Sequence, residues 1–160
     1  MENLDRKYYI FDTSIKIHVD IRGHANLDSL PFRYGFYYDK LHTITKNGKK
    51  GTTEIKKQIE SLRLNPPKKV ADVNISKIDD YKTGLSYFKN GKKEKLDLPK
   101  TNLIIYYLED NSRISIRPSG TEPKIKFYIN LYSKFGETFE LKKESNKLEK
   151  RAKQIIKHFN

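Results

Sequence analysis

The stretch "RPSGTEPKIK" combines residue types that together can bind an anion. The guanidinium of Arg117 is a planar fork that matches the oxygens of a phosphate two at a time. Ser119 and Thr121 supply hydroxyl donors, and Gly120 allows backbone angles that turn successive N–H groups toward one point. These features suit a phosphate monoester, and a nearby lysine would add positive charge. The candidate anion-binding residues are Arg117, Ser119, Gly120, Thr121 and, with looser geometry, Lys124 or Lys126.

Strand parity places these residues on one side of a sheet. In "RISIRP" the isoleucines alternate with Arg117, and in "KIKFYINLY" the apolar residues alternate with Lys124 and Lys126. If the two strands pair antiparallel, Arg117 and the lysines flank the loop on the solvent side. The simpler alternative is an ordinary hairpin loop, because Ser, Gly, Thr and Pro are common turn residues. The residues predicted to face the core are Ile114, Ile116, Ile125, Phe127, Ile129 and Leu131.

Two segments have the apolar spacing of amphipathic helices. In "TTEIKKQIESLR" Thr52 or Gly51 can cap the start, and Pro66 and Pro67 follow the end. The C-terminal tail from residue 137 contains the second helix. A third, short helix is predicted near Phe36 to Leu41. The apolar faces of the two long helices are Ile55, Ile59 and Leu62, and Leu148, Ala152, Ile155, Ile156 and Phe159.

Alternating residues predict the strands of the sheet. "KVADVNISKI" is predicted as one strand with Ala71, Val73 and Ile75 on one side, and a hairpin is predicted around Asn90 and Gly91. "TNLIIYYLED", "RISIRP" and "KIKFYINLY" follow, and Ile15, Ile17, Val19 and Ile21 indicate a further strand near the N-terminus. Strands with one apolar face predict an α+β fold, in which helices cover one face of an antiparallel sheet of about four strands.

Composition limits the classes of function. The 160 residues fit one domain with an appendage, and 33 Lys and Arg against 20 Asp and Glu give a formal net charge of +13. This balance favours anionic partners such as phosphates, nucleic acid or a membrane surface, although a solvated surface would explain it equally well. There is no Cys, no signal-peptide pattern and no apolar run of membrane-spanning length. We therefore expect a soluble, cytoplasmic protein.

The segment "RPSGTEPKIKFY" resembles the C-terminal phosphate-binding loop of the α-D-phosphohexomutases, the family of phosphoglucomutases and phosphomannomutases. "IDDYKTG" is similar to the family's Asp-Tyr-x-Thr-Gly motif. "YGFYYDKLHTITKNGKKGTTEIKKQIESLR" and "LPKTNLIIYYLEDNSRISIRPSGTEPKIKFY" resemble the phosphoglucomutase and phosphopentomutase branch. The resemblance covers roughly residues 27–160, whereas residues 1–26 do not match.

This resemblance implies the last of four domains, with a sheet and helices arranged as in the TATA-box-binding protein. It assigns residues 35–160 to that domain and residues 1–34 to an N-terminal segment that could be a remnant of the preceding one. The implied role of Arg117, Ser119, Gly120 and Thr121 is to grip the phosphate that is not transferred, with Lys124 or Lys126 as a weaker contact. Pro118, Glu122 and Pro123 would shape the loop.

The family's phosphoryl transfer needs a Ser-His loop for the nucleophile, an Asp-rich loop for Mg²⁺ and a loop that reads the sugar hydroxyls. None of these motifs is evident in this sequence, where Asp79-Asp80 is the only adjacent Asp pair. We therefore expect the chain to bind a hexose or pentose phosphate without catalysing the reaction alone. Mg²⁺ is expected only in the complete enzyme, and the other mutase domains are the implied partners.

Three further interpretations come from the residues themselves. A basic nucleic-acid-binding module is the main alternative, but "KIKFYINLY" lacks the glycines of the RNA-recognition signature. The four histidines are too dispersed to predict a metal site, so each is expected to be exposed or hydrogen-bonded within the protein. The tyrosines of the predicted sheet are expected to pack there and not to form a stacking platform. These residues are His18, His24, His42 and His158, and Tyr106, Tyr107, Tyr128 and Tyr132.

Overall fold

The computed structural model describes residues 35–134 and 140–160, together with four two-residue strand segments between residues 7 and 20. The described elements are two helices and twelve strands. They are β1 (Lys7–Tyr8), β2 (Phe11–Asp12), β3 (Ile15–Lys16), β4 (Val19–Asp20), β5 (Gly35–Thr45), α1 (Gly48–Leu64), β6 (Lys69–Val70), β7 (Val73–Asp80), β8 (Leu85–Phe88), β9 (Lys93–Lys95), β10 (Ile104–Leu108), β11 (Arg113–Pro118), β12 (Lys124–Lys134) and α2 (Leu141–Phe159).

The main sheet is antiparallel and runs in the order β2-β3-β5-β12-β11-β10-β7-β8-β9, with β6 paired to β7. The α+β class is therefore confirmed, and the described sheet has more strands than the four predicted. The apolar faces of β5, β7, β10, β11 and β12 share one core cluster with both helices. The helices thus cover one face of the sheet, and the opposite face, here called the open face, carries the alternate side chains.

The pattern-based prediction of the core is confirmed in the central strands and both helices. All six residues assigned to the inner face of β11 and β12 are buried, as are Ile55 and Ile59 of α1. The apolar stripe of α2 is buried at Leu148, Ala152 and Ile155. Period-2 and period-3.6 patterns succeed here because each element buries only one face.

The short helix predicted near Phe36 to Leu41 is wrong, because these residues belong to the eleven-residue strand β5. β5 pairs with β12 along its whole length, from Gly35 opposite Lys134 to Thr45 opposite Lys124. Phe36 and Tyr38 enter the core, which is the two-residue period of a strand. Burial of aromatic residues against β12 outweighs the helix formers in the segment.

The strand predicted across "KVADVNISKI" is confirmed from Val73 onward, where β7 begins and Ile75 is buried, but a tight hairpin separates it from β6. Val70 pairs with Val73, and the two residues between them, Ala71 and Asp72, have φ values of 45° and 64°. Positive φ at both central positions is the geometry of a two-residue turn whose twist matches paired strands. The predicted hairpin around Asn90 and Gly91 is confirmed, since β8 and β9 flank it as an antiparallel pair.

The N-terminal predictions are only partly covered by the described residues. Ile15 and Val19 fall in separate segments, and β3 pairs with β5 whereas β4 pairs with β1. Ile17 and Ile21 lie outside the described residues, as does most of the segment 1–34. In the part of the chain that the structure describes, no helix is long and apolar enough to cross a membrane.

The buried phenol of Tyr106 should make the free energy of unfolding fall at alkaline pH. Its hydroxyl donates to the carbonyl oxygen of Leu62 at 2.7 Å. Burial raises its pKa well above the ordinary value of 10.0, against the opposing charge of Arg63. Above pH 10 the unfolded chain releases a proton that the folded chain keeps. Stability should therefore fall as the pH rises, by up to about 1.4 kcal/mol per pH unit.

Urea denaturation at pH values on either side of 10 measures this dependence. Tyr107 adds to it, because burial raises its pKa to about 12. The Tyr106→Phe protein keeps the ring and lacks the titrating group, so its stability should fall less steeply with pH. Equal slopes in the two proteins would show that the phenol of Tyr106 is not the source.

Candidate functional site

The candidate anion site lies at the hairpin between β11 and β12. The two strands pair in register, and Arg117 stands directly opposite Lys126. The neighbouring pair of Ile116 and Phe127 is fully buried in the core, so Arg117 and Lys126 lie on the open face. Side chains directly opposite one another in an antiparallel pair have Cβ atoms about 5 Å apart. The structure therefore holds two cations side by side at the mouth of the loop.

Neither cation is neutralised within the described part of the chain. Arg117 and Lys126 form no ion pair or side-chain hydrogen bond with any residue that the structure describes. Lys124 differs, because its ammonium lies 3.0 Å from the carboxylate of Glu122. Like charges directly opposite one another destabilise a sheet. An anion bound between Arg117 and Lys126 would relieve that repulsion, which makes Lys126 a better ligand candidate than Lys124.

The loop itself leaves donors available. The N–H of Ser119 donates to the carbonyl oxygen of Lys124 at 2.8 Å, and the N–H of Glu122 donates to the hydroxyl oxygen of Ser119 at 3.3 Å. Among the described residues, the backbone N–H groups of Gly120 and Thr121 have no acceptor. Both residues are exposed. Two backbone donors and two hydroxyls are thus presented beside the unpaired cations.

The conformation of Gly120 differs from the one expected for a glycine-dependent nest. The glycines with positive φ in the described ranges are Gly48, Gly84 and Gly91. Gly120 is outside that region, and a Cβ built on it would meet no atom within 4 Å. The backbone here does not require glycine for its own shape. A glycine at this position instead leaves open space next to the free N–H groups.

Strand β5 brings residues to this site that the sequence analysis missed. Thr43 stands opposite Lys126, and Thr45 stands opposite Lys124, so both threonines lie on the open face beside the lysines. The N–H of Lys46 donates to the carbonyl oxygen of Pro123 at 2.9 Å, which fastens the loop to the segment that leads into α1. The missed signal was the alternation of Phe36, Tyr38 and Ile44 with polar residues, which is typical of a strand.

Helix α1 begins at Gly48 with Asn47 as its N-cap residue, four residues before the predicted start. Gly51 is therefore not a cap. It lies buried in the first turn, and a Cβ added there would lie 2.7 Å from the carbonyl carbon of Lys46. The close approach of the two backbones explains why a glycine occupies this position. It also supports Lys46, which holds the loop at Pro123.

Replacing Gly51 with Ala should destabilise the protein by about 1–3 kcal/mol, because backbone atoms must shift to admit the methyl group. The free energy of unfolding in urea measures the effect. Gly120→Ala is the matched control and should change stability by less than about 0.5 kcal/mol, since its methyl group enters open space. Equal losses in the two variants would contradict the close contact at Gly51.

In the described ranges, the histidines and tyrosines form no second candidate catalytic or metal site. His42 forms a hydrogen bond of 3.0 Å with the side chain of Asn160, and the ring of His158 packs edge-on against Phe159. His18 and His24 lie outside the described residues. Tyr106 packs in the core as predicted, and among the residues described no group of three or more His, Asp or Glu could hold a metal ion. The other predicted packing residues are Tyr107 and Tyr132, which are half-buried, and Tyr128, which is exposed.

Taken together, these features define a small α+β domain whose open sheet face ends in a basic hairpin loop. No family model matches the chain. The phosphoglucomutase of Staphylococcus saprophyticus is 40% identical to it over 98 residues, which are 61% of the chain and 18% of that protein. The phosphoglucomutases of Staphylococcus haemolyticus and a Staphylococcus aureus strain are 33% and 37% identical, over 68% and 61% of the chain.

The chain thus spans only 18% to 20% of the length of these curated relatives. The matched part of the chain is therefore similar to one segment of a phosphoglucomutase.

Proposed function

We propose that residues 35–160 are the C-terminal, phosphate-binding domain of a phosphohexomutase of the phosphoglucomutase type. In this proposal the hairpin loop holds the phosphate of a hexose or pentose phosphate that is not being transferred. The observation that carries it is the pair of unneutralised cations, Arg117 and Lys126, placed directly opposite one another beside two free backbone donors. The likeness to phosphoglucomutases supports the same reading.

Each residue has a distinct task in this proposal. The Arg117 fork binds two phosphate oxygens and sets the orientation of the ester, and Lys126 adds charge without fixing geometry. The hydroxyls of Ser119 and Thr121, with the backbone N–H of Gly120, complete the shell of donors. Pro118, Glu122 and Pro123 fix the path of the loop, with Glu122 holding Lys124 and Pro123 holding Lys46.

Phosphoryl transfer itself would depend on the other domains of the enzyme. No group of acidic side chains and histidines in the described ranges fits Mg²⁺, so no step at that ion is assigned to this chain. Closure of this domain over a cleft would hold the phosphosugar and exclude water from the reacting phosphate. The contribution of the domain is thus binding and orientation.

An NMR titration of the 160-residue chain with glucose 1-phosphate tests the site, with glucose as the uncharged control. Amide shifts should be confined to residues 117–126 and the facing end of β5, and glucose should cause none. Arg117→Ala should weaken binding by at least about tenfold, because a charge-assisted two-pronged contact contributes about 1.5–3 kcal/mol. The affinity of the isolated domain should be modest, since it forms only one wall of the proposed cleft.

Arg113→Ala is the matched control for Arg117→Ala. Arg113 is also exposed and lies on the same strand and the same face, where its Nε–H donates to the side chain of Asn130. If both variants lose affinity equally, the ligand responds only to surface charge and the proposal is wrong. A folded Arg117→Ala protein with unchanged affinity would be equally decisive against it.

The nucleic-acid alternative is tested by the same titration. A net charge of +13 and a sheet face bearing Arg117, Lys126 and the exposed ring of Tyr128 motivate it. A single-stranded oligonucleotide should bind weakly and without saturation if the phosphosugar proposal holds. Tight binding that falls steeply with salt and shifts residues across the whole open face would favour the alternative.

A further inference from the structure

A pocket of about 420 Å³ lies at the opposite end of β12 from the candidate phosphate loop. It is enclosed by the last residues of β12, the turn between β10 and β11, and the side of α2 that carries Lys147 and Arg151. β12 has eleven residues, so the pocket is about 30 Å from the loop along the strand. It is therefore separate from the site described above.

Arg151 is the central feature of this pocket. Its Nη1 donates to the carboxylate of Asp110, which ties α2 to the turn between β10 and β11. Its Nε and Nη2 are buried and have no acceptor among the residues that the structure describes. An unsatisfied buried donor costs about 1–3 kcal/mol, and it costs more when the group is charged. Folded proteins rarely leave such donors unused, so an acceptor is expected here.

The two unused donors have a geometry that selects the acceptor. Nε–H and one N–H of Nη2 point in parallel from one edge of the guanidinium plane. This edge matches two oxygens of one phosphate or carboxylate. A single water molecule can accept from both only through bent hydrogen bonds and carries no charge, whereas two oxygens of one anion meet both donors in line. The free edge therefore favours an oxyanion over water.

The charges around the pocket favour an anionic ligand. Lys134, Lys147 and Arg151 line it together with a single carboxylate, that of Asp110. Asp110 is already bonded to Arg151, and Lys147 lies 3.4 Å from Glu144 on its own helix. Lys134 is exposed and has no ion-pair partner in the described ranges. Glu144 also accepts a hydrogen bond from the hydroxyl of Ser133 at the pocket wall, so three cations face two carboxylates and one net positive charge remains for an anion.

We propose that this pocket binds a small phosphate group, either inorganic phosphate or the terminal phosphate of a monoester. Arg151 provides the two-pronged contact from Nε and Nη2, Lys134 provides charge, and Asp110 keeps the guanidinium in position. In this proposal the side chains that cover the buried nitrogens shift to admit the anion, and the lining residues Lys134 and Lys147 are exposed. Because those nitrogens are shielded from bulk water, a charge-assisted bond there is stronger than on the surface.

The test is an NMR titration of the complete chain with inorganic phosphate, at an ionic strength held constant with chloride. It is carried out on the Arg117→Ala background, so that the loop and the pocket are read independently. The Nε–H of Arg151 gives its own signal, which should shift saturably at millimolar phosphate together with the amides of Ser133 and Lys134. No saturable shift of that Nε–H signal would overturn the proposal.

Two variants and one control separate a built site from general charge. Arg151→Lys keeps the charge but removes the parallel donors, and it should abolish the saturable shifts. Lys134→Ala, an exposed change that should not affect folding, should weaken phosphate binding by about tenfold. Lys142→Ala removes another exposed lysine, which lies on α2 outside the pocket, and should leave binding unchanged. Equal effects of Lys134→Ala and Lys142→Ala would overturn the proposal.

A second ligand distinguishes the class of anion. Glucose 1-phosphate should shift the same signals if the pocket accepts a monoester, whereas phosphate alone should do so if only the free ion fits. Either result supports the assignment. Succinate that binds as tightly as phosphate would overturn it, because the pocket would then select carboxylates equally well.

Discussion

Replacing Asp80 with Ala should destabilise the protein by about 3–5 kcal/mol, because it removes the buried counter-ion of Arg63 and leaves only the partly exposed Glu60 paired with it. The Nε of Arg63 lies 3.0 and 3.1 Å from the two carboxylate oxygens of Asp80. Their side chains are only 7% and 3% exposed. The pair joins α1 to the end of β7, so its loss should loosen the contact between helix and sheet. The free energy of unfolding in urea measures the effect.

An exposed ion pair serves as the control for this prediction. Lys95 and Asp97 lie 3.2 Å apart with more than four fifths of each side chain exposed. Asp97→Ala should therefore cost less than about 1 kcal/mol. Replacing Arg63 and Asp80 together with Met and Leu should recover most of the stability lost in Asp80→Ala, since apolar side chains then replace this buried ion pair. A loss below about 1 kcal/mol in Asp80→Ala would show that solvent reaches Arg63.

The same cluster should make the free energy of unfolding fall at acid pH. The carboxylate of Glu60 accepts hydrogen bonds from Lys82 at 2.6 Å and from Arg63 at 2.9 Å. The bond from Lys82 is the main reason that the pKa of Glu60 lies below its ordinary value of 4.5. Its contribution is present above that value and is lost as the pH falls through the lowered pKa. The cluster should therefore weaken in acid.

The second large effect is expected at Phe127, where truncation to Ala should cost about 3–5 kcal/mol. Phe127 is completely buried in β12, and its ring stacks on that of Phe159 with centroids 5.0 Å apart. Losing the ring removes apolar contacts and leaves a cavity beneath the last turn of α2. Hydrogen exchange of α2 amides, together with urea unfolding, should report both the global loss and a looser helix end.

Tyr128 is the neighbouring control for Phe127. It is 39% exposed on the open face and does not belong to the core cluster that both helices share with the sheet. Tyr128→Ala should cost less than about 1 kcal/mol, because the site can lose the ring without leaving a cavity. If Tyr128→Ala were the more damaging change, the open face would be as tightly packed as the helix-covered one.

The sequence predicted those parts of the domain in which the residue pattern of an element is enough to predict its conformation and its buried face. The alternation in β11 and β12 identified the buried residues correctly and placed Arg117 and Lys126 on one side. Their direct opposition could not be predicted, because it depends on the number of loop residues excluded from pairing. The sequence therefore placed these two candidate residues on one face, while their register required the structure.

The predictions that were wrong concern features that depend on residues distant in the sequence. The alternation within "GFYYDKLHTIT" is typical of a strand, but nothing in the segment reveals that β12 lies beside it. The Ala71–Asp72 turn lacks the usual Asn-Gly signal, so a continuous strand was the natural prediction. The ion pair between Arg63 and Asp80 joins residues 17 positions apart through tertiary packing. Sequence periodicity carries no information on such pairs.

The pairing of β5 with β12 has a consequence for synthesis of the protein. β5 ends at Thr45 and its partner β12 begins at Lys124. The longest strand pairing in the sheet therefore joins two segments that are far apart in the sequence. During translation β5 emerges from the ribosome long before its partner, with the aromatic residues Phe36 and Tyr38 uncovered. Long-range pairing of this kind closes late and slowly. A nascent chain stalled before β12 should therefore expose an unpaired strand that chaperones recognise.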